Sequence, residues 1–145
     1  MKTSRIPLVM VLLALAPIAG YSFALPTMFQ HATLMSVSPD LPAAQARVKF
    51  AKTDNGNISI YLMVKYMAEP HKLQPPASVY VAWVRADQDS TPQNVGAIKV
   101  NDHRVGSLKT DTPLNVFELF VTAETDGQVQ TPTGQRLIWV NHTTD

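Results

Sequence analysis

The sequence predicts an all-β protein, an immunoglobulin-like antiparallel β-sandwich of about seven strands preceded by a signal peptide. Three observations predict this fold class. Apolar and polar residues alternate in several short segments, turn-forming residues separate these segments about every 8 to 14 positions, and no segment carries the apolar period of an amphipathic helix.

The N-terminus has the organisation of an export signal. Lys2 and Arg5 precede an apolar run over 6–19, and Ser22 and Ala24 place small residues where a signal peptidase cleaves. The run has about 14 residues, fewer than the roughly 20 that span a bilayer as a helix. We therefore predict a cleaved signal peptide over 1–24 and a periplasmic or extracellular domain. An uncleaved anchor is the alternative, and it is the case in which we expect membrane association.

Composition limits the function classes. The 145-residue chain has no cysteine, which excludes disulfide bonds and a lipid-modified cysteine, and its formal net charge is +1. Removing the two basic residues of the signal leaves ten basic residues against eleven acidic ones. Such a balance supplies no general positive field for phosphates, so nucleic-acid binding and adhesion to an anionic membrane are disfavoured.

The segment over 25–46 is predicted to be an extended lead-in, because Pro26, Pro39 and Pro42 each discourage a helix at the preceding residue. One short strand over 32–37 is expected within it. The sandwich domain is predicted over 47–145.

Regular alternation begins at position 47. Val48 and Phe50 share one side of a predicted strand over 47–50, and Asp-Asn-Gly-Asn at 54–57 has the composition of a tight hairpin turn. The following strand, over 58–66, carries five apolar residues at a period of two. This hairpin is the clearest local signal in the chain.

The remaining strands follow a connection with three prolines over 67–78. The segment 79–86 is apolar at both parities and contains Trp83, which predicts a central strand covered on both faces. Further strands are predicted over 95–100, 104–109, 116–123 and 136–141.

From about residue 57 to residue 140 the chain resembles the extracytoplasmic C-terminal domain of anti-sigma-K-type regulators. The motifs that carry the resemblance are YVAW, with Tyr80 and Trp83, then Gly96, then VTAE at 121–124, and then PTG at 132–134. Their order and spacing make a moderately specific pattern over more than half of the chain.

This resemblance implies a small immunoglobulin-like domain outside the membrane. In that family the sigma factor binds a separate cytoplasmic helical domain, and here only five residues precede the apolar run and no cysteine is present. The sigma-binding function is therefore not carried over to this chain, and the resemblance implies an exported copy of the outer domain alone.

The loop between the last two predicted strands is a candidate binding site. Asp126 with its following glycine, and Pro132, Thr133 and Gly134, explain a chain reversal at one end of the sandwich, because proline fixes φ and glycine accepts a left-handed conformation. Such end loops also carry ligand contacts in other sandwiches, so both interpretations stay open.

No catalytic or metal site is predicted, and no cofactor is expected. Glu118 and Glu124 share a strand face but are about 20 Å apart, too far for a pair of catalytic carboxylates. Met63 and Met67 cannot be ligands of one metal ion on an extended strand, because about 13 Å separates them. The four histidines are far apart in sequence.

Trp139 is the better of the two tryptophans to stack on a sugar, since it alternates with apolar residues in a terminal strand, and one face of such a strand stays solvated if it is an edge. Placement of Trp139 in the core is the favoured interpretation. The sequence as a whole predicts a non-enzymatic module of the cell envelope that recognises a protein partner through a strand edge or end loops. A carbohydrate-binding domain and a self-assembling structural subunit are the alternatives.

Overall fold

The computed structural model describes residues 31–144. The predicted signal peptide and the first part of the lead-in lie outside these residues. Nine strands are described, and they are β1 (Thr33–Leu34), β2 (Ser36–Val37), β3 (Gln45–Lys52), β4 (Ile58–Lys65), β5 (Val79–Arg85), β6 (Gln93–Ile98), β7 (Gly106–Thr112), β8 (Phe117–Glu124) and β9 (Arg136–His142). A short 3-10 helix, Pro70–Lys72, lies in the connection between β4 and β5.

The strands form two antiparallel sheets that face each other, which confirms the predicted fold class. Sheet I has the order β1-β3-β4-β7 and sheet II the order β2-β9-β8-β5-β6. The blocks β3-β4-β7 and β9-β8-β5-β6 reproduce the A-B-E and G-F-C-C′ arrangement of immunoglobulin-like sandwiches. Loops over 66–78 and 99–105 mark the end that we call upper, and turns over 53–57, 86–92 and 113–116 mark the lower end.

The core lies between the inner faces of the two sheets. On β4, residues at even positions such as Ile60, Leu62 and Val64 are at most 1% exposed, as the alternation predicts. The central position predicted for the strand with Trp83 is confirmed, because β5 lies between β6 and β8. Its buried residues at both parities show that the outer face of sheet II is covered as well.

The lead-in forms two strands instead of one. β1 pairs with β3 in sheet I, the chain crosses over at the buried Met35, and β2 pairs with β9 in sheet II. A single strand over 32–37 was therefore a wrong prediction, because this segment closes one side of the sandwich by joining both sheets. β3 also begins at Gln45, two residues before the predicted domain boundary.

Two further strands are shifted from their predicted positions. The strand predicted over 95–100 is β6, Gln93–Ile98, and the strand predicted over 104–109 is β7, Gly106–Thr112. β6 contains a bulge between its Asn94 and Gly96 pairs with β5, and Gly96 has φ of 140°. A bulge breaks the alternation on which the prediction depended.

Candidate functional site

The PTG loop is held by a buried carboxylate. Glu124, at the end of β8, accepts hydrogen bonds from the backbone N–H of Thr133 at 3.0 Å, from that of Gly134 at 3.2 Å, and from the Thr133 hydroxyl. The Thr122 hydroxyl also donates to Glu124, and it accepts a hydrogen bond of 2.9 Å from Trp83 Nε1. The residues of three resemblance motifs thus belong to one hydrogen-bond network.

The network determines the protonation of Glu124. Burial alone would raise the pKa of Glu124, but the hydrogen bonds from Thr122, Thr133 and Gly134 outweigh it and hold the pKa below its usual value. The side chain is therefore a charged, fully hydrogen-bonded anchor at neutral pH. Its lone pairs are occupied by groups of the protein itself, which favours the structural interpretation of the loop.

The loop reverses the chain at the upper end of the sandwich, as expected, and it then folds back over sheet II. Asn94 Nδ2 on β6 donates to the carbonyl oxygens of Gly127 and Val129 at 3.0 and 2.8 Å, so the loop extends across two neighbouring strands. Asp126 Oδ1 accepts from the Gln128 N–H at 2.9 Å and closes a local turn. A Cβ added to Gly134 would lie 2.3 Å from Ala123 O, so this position requires glycine.

Under the loop lies a second apolar cluster, on the outer face of sheet II. Val81, Trp83 and Phe120 are buried there, and Val129 and Trp139 pack against them. Trp83 and Phe120 are cross-strand neighbours with ring centroids 6.5 Å apart. The core position that the sequence favours for Trp83 is in this outer cluster and not between the sheets.

Trp139 is half-buried beside this cluster. A bulge in β9, where Val121 pairs with Ile138 and Thr122 pairs with Arg136, brings Arg136 and Trp139 to the same face although they are three positions apart. The Arg136 guanidinium lies 4.6 Å from the Trp139 ring centroid and also contacts the carboxylate of Glu118. β9 is not an edge at this residue, because β2 pairs with β9 at Trp139 itself.

Within residues 31–144, the lower half of β3 forms a strand edge that no other strand covers. β1 pairs with β3 only at Arg47 and Val48, and in the described residues no strand continues past them. The Thr53 N–H donates to the Asn57 carbonyl across the hairpin. Alternate residues of an antiparallel strand direct their backbone groups to the same neighbour, so odd positions of β3 face β4 and even positions face away from it. The N–H and C=O groups of Phe50 and Lys52 therefore face this open edge.

An aromatic cluster lies behind the open edge. The rings of Phe50 and His142 are 4.3 Å apart, and Phe117 lies 5.6 Å from Phe50 and 5.0 Å from His142. His142 Nε2 is buried and has no hydrogen-bond partner in the described residues, and burial lowers the pKa of His142. We call Phe50, Lys52, Asn141 and His142, which line this side of β3 and β9, the lower seam.

The other candidate chemistry is dispersed. His71 pairs with Glu69 beside the 3-10 helix, and His103 lies in the turn before β7. In residues 31–144, no group of three or more acidic or histidine side chains is placed to hold a metal ion, and no helix has the length and apolarity of a membrane span. A cavity of about 270 Å³ at the lower end is lined by residues that include Val116, Phe117 and His142.

Sequence reasoning missed the lower seam. Alternation shows that Phe50 points inward, but it contains no information about which backbone edge lacks a neighbour. The pairing of β1 with β3 joins segments that are not consecutive in sequence, so no local pattern shows where this pairing begins or ends.

Comparison with known proteins gives no match to this chain, either to a protein-family model or to a curated protein.

Proposed function

We propose that the chain is an exported, non-enzymatic binding module of the bacterial cell envelope that recognises a protein partner by strand addition at the lower seam. The single observation that carries this proposal is that, among residues 31–144, no strand pairs with the outer edge of β3 at Phe50 and Lys52. An extended segment of a partner adds to such an edge by satisfying its outward N–H and C=O groups.

The surroundings of this edge support the proposal. Phe50 and His142 are half-buried, so an added strand would cover apolar surface as well as form backbone hydrogen bonds. Long open edges invite aggregation unless they are blocked, and Lys52 supplies a charge of the kind that protects edge strands. A short open stretch with apolar surface behind it is suited to one bound segment.

The rest of the molecule supports a binding role by its rigidity. Glu124 ties the PTG loop to sheet II, so the motifs that resemble the outer domain of anti-sigma-K-type regulators act as scaffold. We propose on this resemblance that the module works outside the membrane without a sigma-binding domain. The lower seam lies at the far end of β8 from the loop, so binding there leaves these scaffold contacts intact.

The test selects ligands from a random peptide library displayed on phage against the purified domain. Selected peptides are expected to slow hydrogen exchange at the amides of Phe50 and Lys52. Lys52→Pro removes one outward N–H without touching the bonds to β4, and it is expected to weaken peptide binding about tenfold.

Ser107→Pro is the matched control. Even positions of β4 face β7, so Ser107 on β7 also directs its N–H to an open edge, and this variant is expected to bind peptides like the wild type. Peptides that protect other amides, or that bind Lys52→Pro unchanged, contradict the proposal. Glycan-dependent quenching of Trp139 without peptide binding would favour the carbohydrate alternative, and concentration-dependent oligomers lost in Lys52→Pro would favour self-assembly.

A further inference from the structure

The outer face of sheet I carries an excess of positive charge. Arg47 and Lys49 on β3, Lys65 on β4 and Lys109 on β7 all lie at odd positions, opposite the buried even ones. Within residues 31–144, none of these four cations lies within salt-bridge distance of a carboxylate. The acidic residue of this face, Asp111, accepts a hydrogen bond from Ser59.

The cations of sheet II are placed differently. Arg85 and Arg136 both contact the carboxylate of Glu118, and each also lies against an aromatic ring. The near-neutral net charge of the chain therefore conceals a separation, in which uncompensated positive charge collects on one outer face. That face is continuous with the open edge of β3.

A strand added to this edge would have two chemically different sides. Its side chains alternate, so one set would face outward beside Lys49 and diagonally to Arg47, at cross-strand separations of about 5 to 8 Å. The other set would face inward against Phe50 and His142, which form an apolar contact surface. Charge complementarity selects acidic residues for the first set, and burial selects apolar residues for the second.

We infer that the segment recognised at the lower seam is an acidic amphipathic strand, in which carboxylate side chains alternate with apolar ones. This inference rests on the proposed function, because it describes the partner of the same edge. It predicts a partner with the opposite charge to sheet I and gives no role to the PTG loop or to Trp139.

The test uses three synthetic peptides of about eight residues in which valine alternates with glutamate, glutamine or lysine. Two added cross-strand charge pairs, with Lys49 and Arg47, are expected to make the glutamate peptide bind about tenfold more tightly than the glutamine peptide. The advantage should shrink as salt rises from about 0.05 M to about 0.5 M, because these charges are exposed to solvent. Amide shifts of Phe50 and Lys52 in NMR spectra report the place of binding.

Lys49→Glu is expected to abolish the preference for the glutamate peptide and to improve binding of the lysine peptide. Lys72→Glu makes the same change of net charge in the 3-10 helix of the upper end, next to Glu69, and should leave the preference intact. Equal binding of all three peptides at Phe50 and Lys52 would overturn this inference and leave strand addition standing. If none of the peptides shifts these amide signals, the inference is overturned. The proposed function is then decided separately, by whether library-selected peptides slow hydrogen exchange at the same amides.

Discussion

The outer faces of the two sheets are opposite in chemistry although they belong to one sandwich. The outer face of sheet II buries Val81, Trp83 and Phe120 under a loop that is fixed by Glu124. The outer face of sheet I carries exposed cations and a Tyr61 ring that lies 5.2 Å from Lys109 Nζ. Sheet II therefore contributes to stability through both of its faces, whereas sheet I leaves its outer face available for solvent and ligands.

The largest expected effect comes from removing one aromatic side chain from each outer face. Trp83→Ala should lower the free energy of unfolding by about 4 kcal/mol, because Trp83 is fully buried and donates to Thr122. Tyr61→Ala should cost less than about 1 kcal/mol, since its ring lies on the solvated face. Urea unfolding measures both values, and equal losses would mean that the outer face of sheet I is covered too.

A second pair of variants compares glycines at loops of the two sheets. Gly134→Ala should cost about 3 kcal/mol, because the added Cβ would lie 2.3 Å from Ala123 O and displace the loop from Glu124. Gly56→Ala, in the turn between β3 and β4, meets no atom within 4 Å, and its φ of 86° should cost about 1 kcal/mol. Thermal unfolding ranks the two, and the reverse order would contradict the anchoring role of the PTG loop.

A third test concerns the charge beneath the loop. Glu124→Gln should cost about 2 kcal/mol at pH 7, where the wild-type carboxylate accepts several hydrogen bonds. The folded pKa of Glu124 lies below the unfolded value of about 4.5, so its stabilisation is complete above that pH and is lost as pH falls through the folded pKa.

The stability difference between wild type and Glu124→Gln should therefore narrow between pH 7 and pH 3, as followed by urea unfolding at each pH. Asp111→Asn on sheet I is the matched control and should cost less than about 1 kcal/mol at pH 7. A difference that stays constant with pH would show that Glu124 is not charged in the folded protein.

The smallest effect is expected for the ion pairs on sheet II. Glu118→Gln should cost about 1 kcal/mol, because Arg85 and Arg136 lose the charge of their shared carboxylate, while Arg136 is partly exposed and the amide oxygen of glutamine can still accept a hydrogen bond. The loss should decrease with added salt. Unfolding measured at two salt concentrations checks this, and a loss that grows with salt would contradict the electrostatic origin.

Much of the fold was predictable, because it depends on patterns in consecutive residues. The β3–β4 hairpin and the central position of β5 follow from alternation and turn composition, and the structure confirms them. Bulges in β6 and β9 shifted the predicted bounds of β6 and placed Arg136 beside Trp139, because a bulge changes the parity that the prediction reads. The sequence correctly predicted that the residues around Asp126 and Pro132 form a loop. It did not show that this loop lies on the outer face of sheet II.

The sequence by itself determined that the chain makes sheets and which side chains face the core, because alternation at a period of two is a property of consecutive residues. Only the tertiary structure decided that Trp83, Thr122, Glu124 and Thr133 form one network, and that within residues 31–144 the edge of β3 beside Phe50 and His142 has no strand neighbour. Both features require residues far apart in sequence to meet. Such meetings depend on how the two sheets pack, and no local pattern encodes that packing.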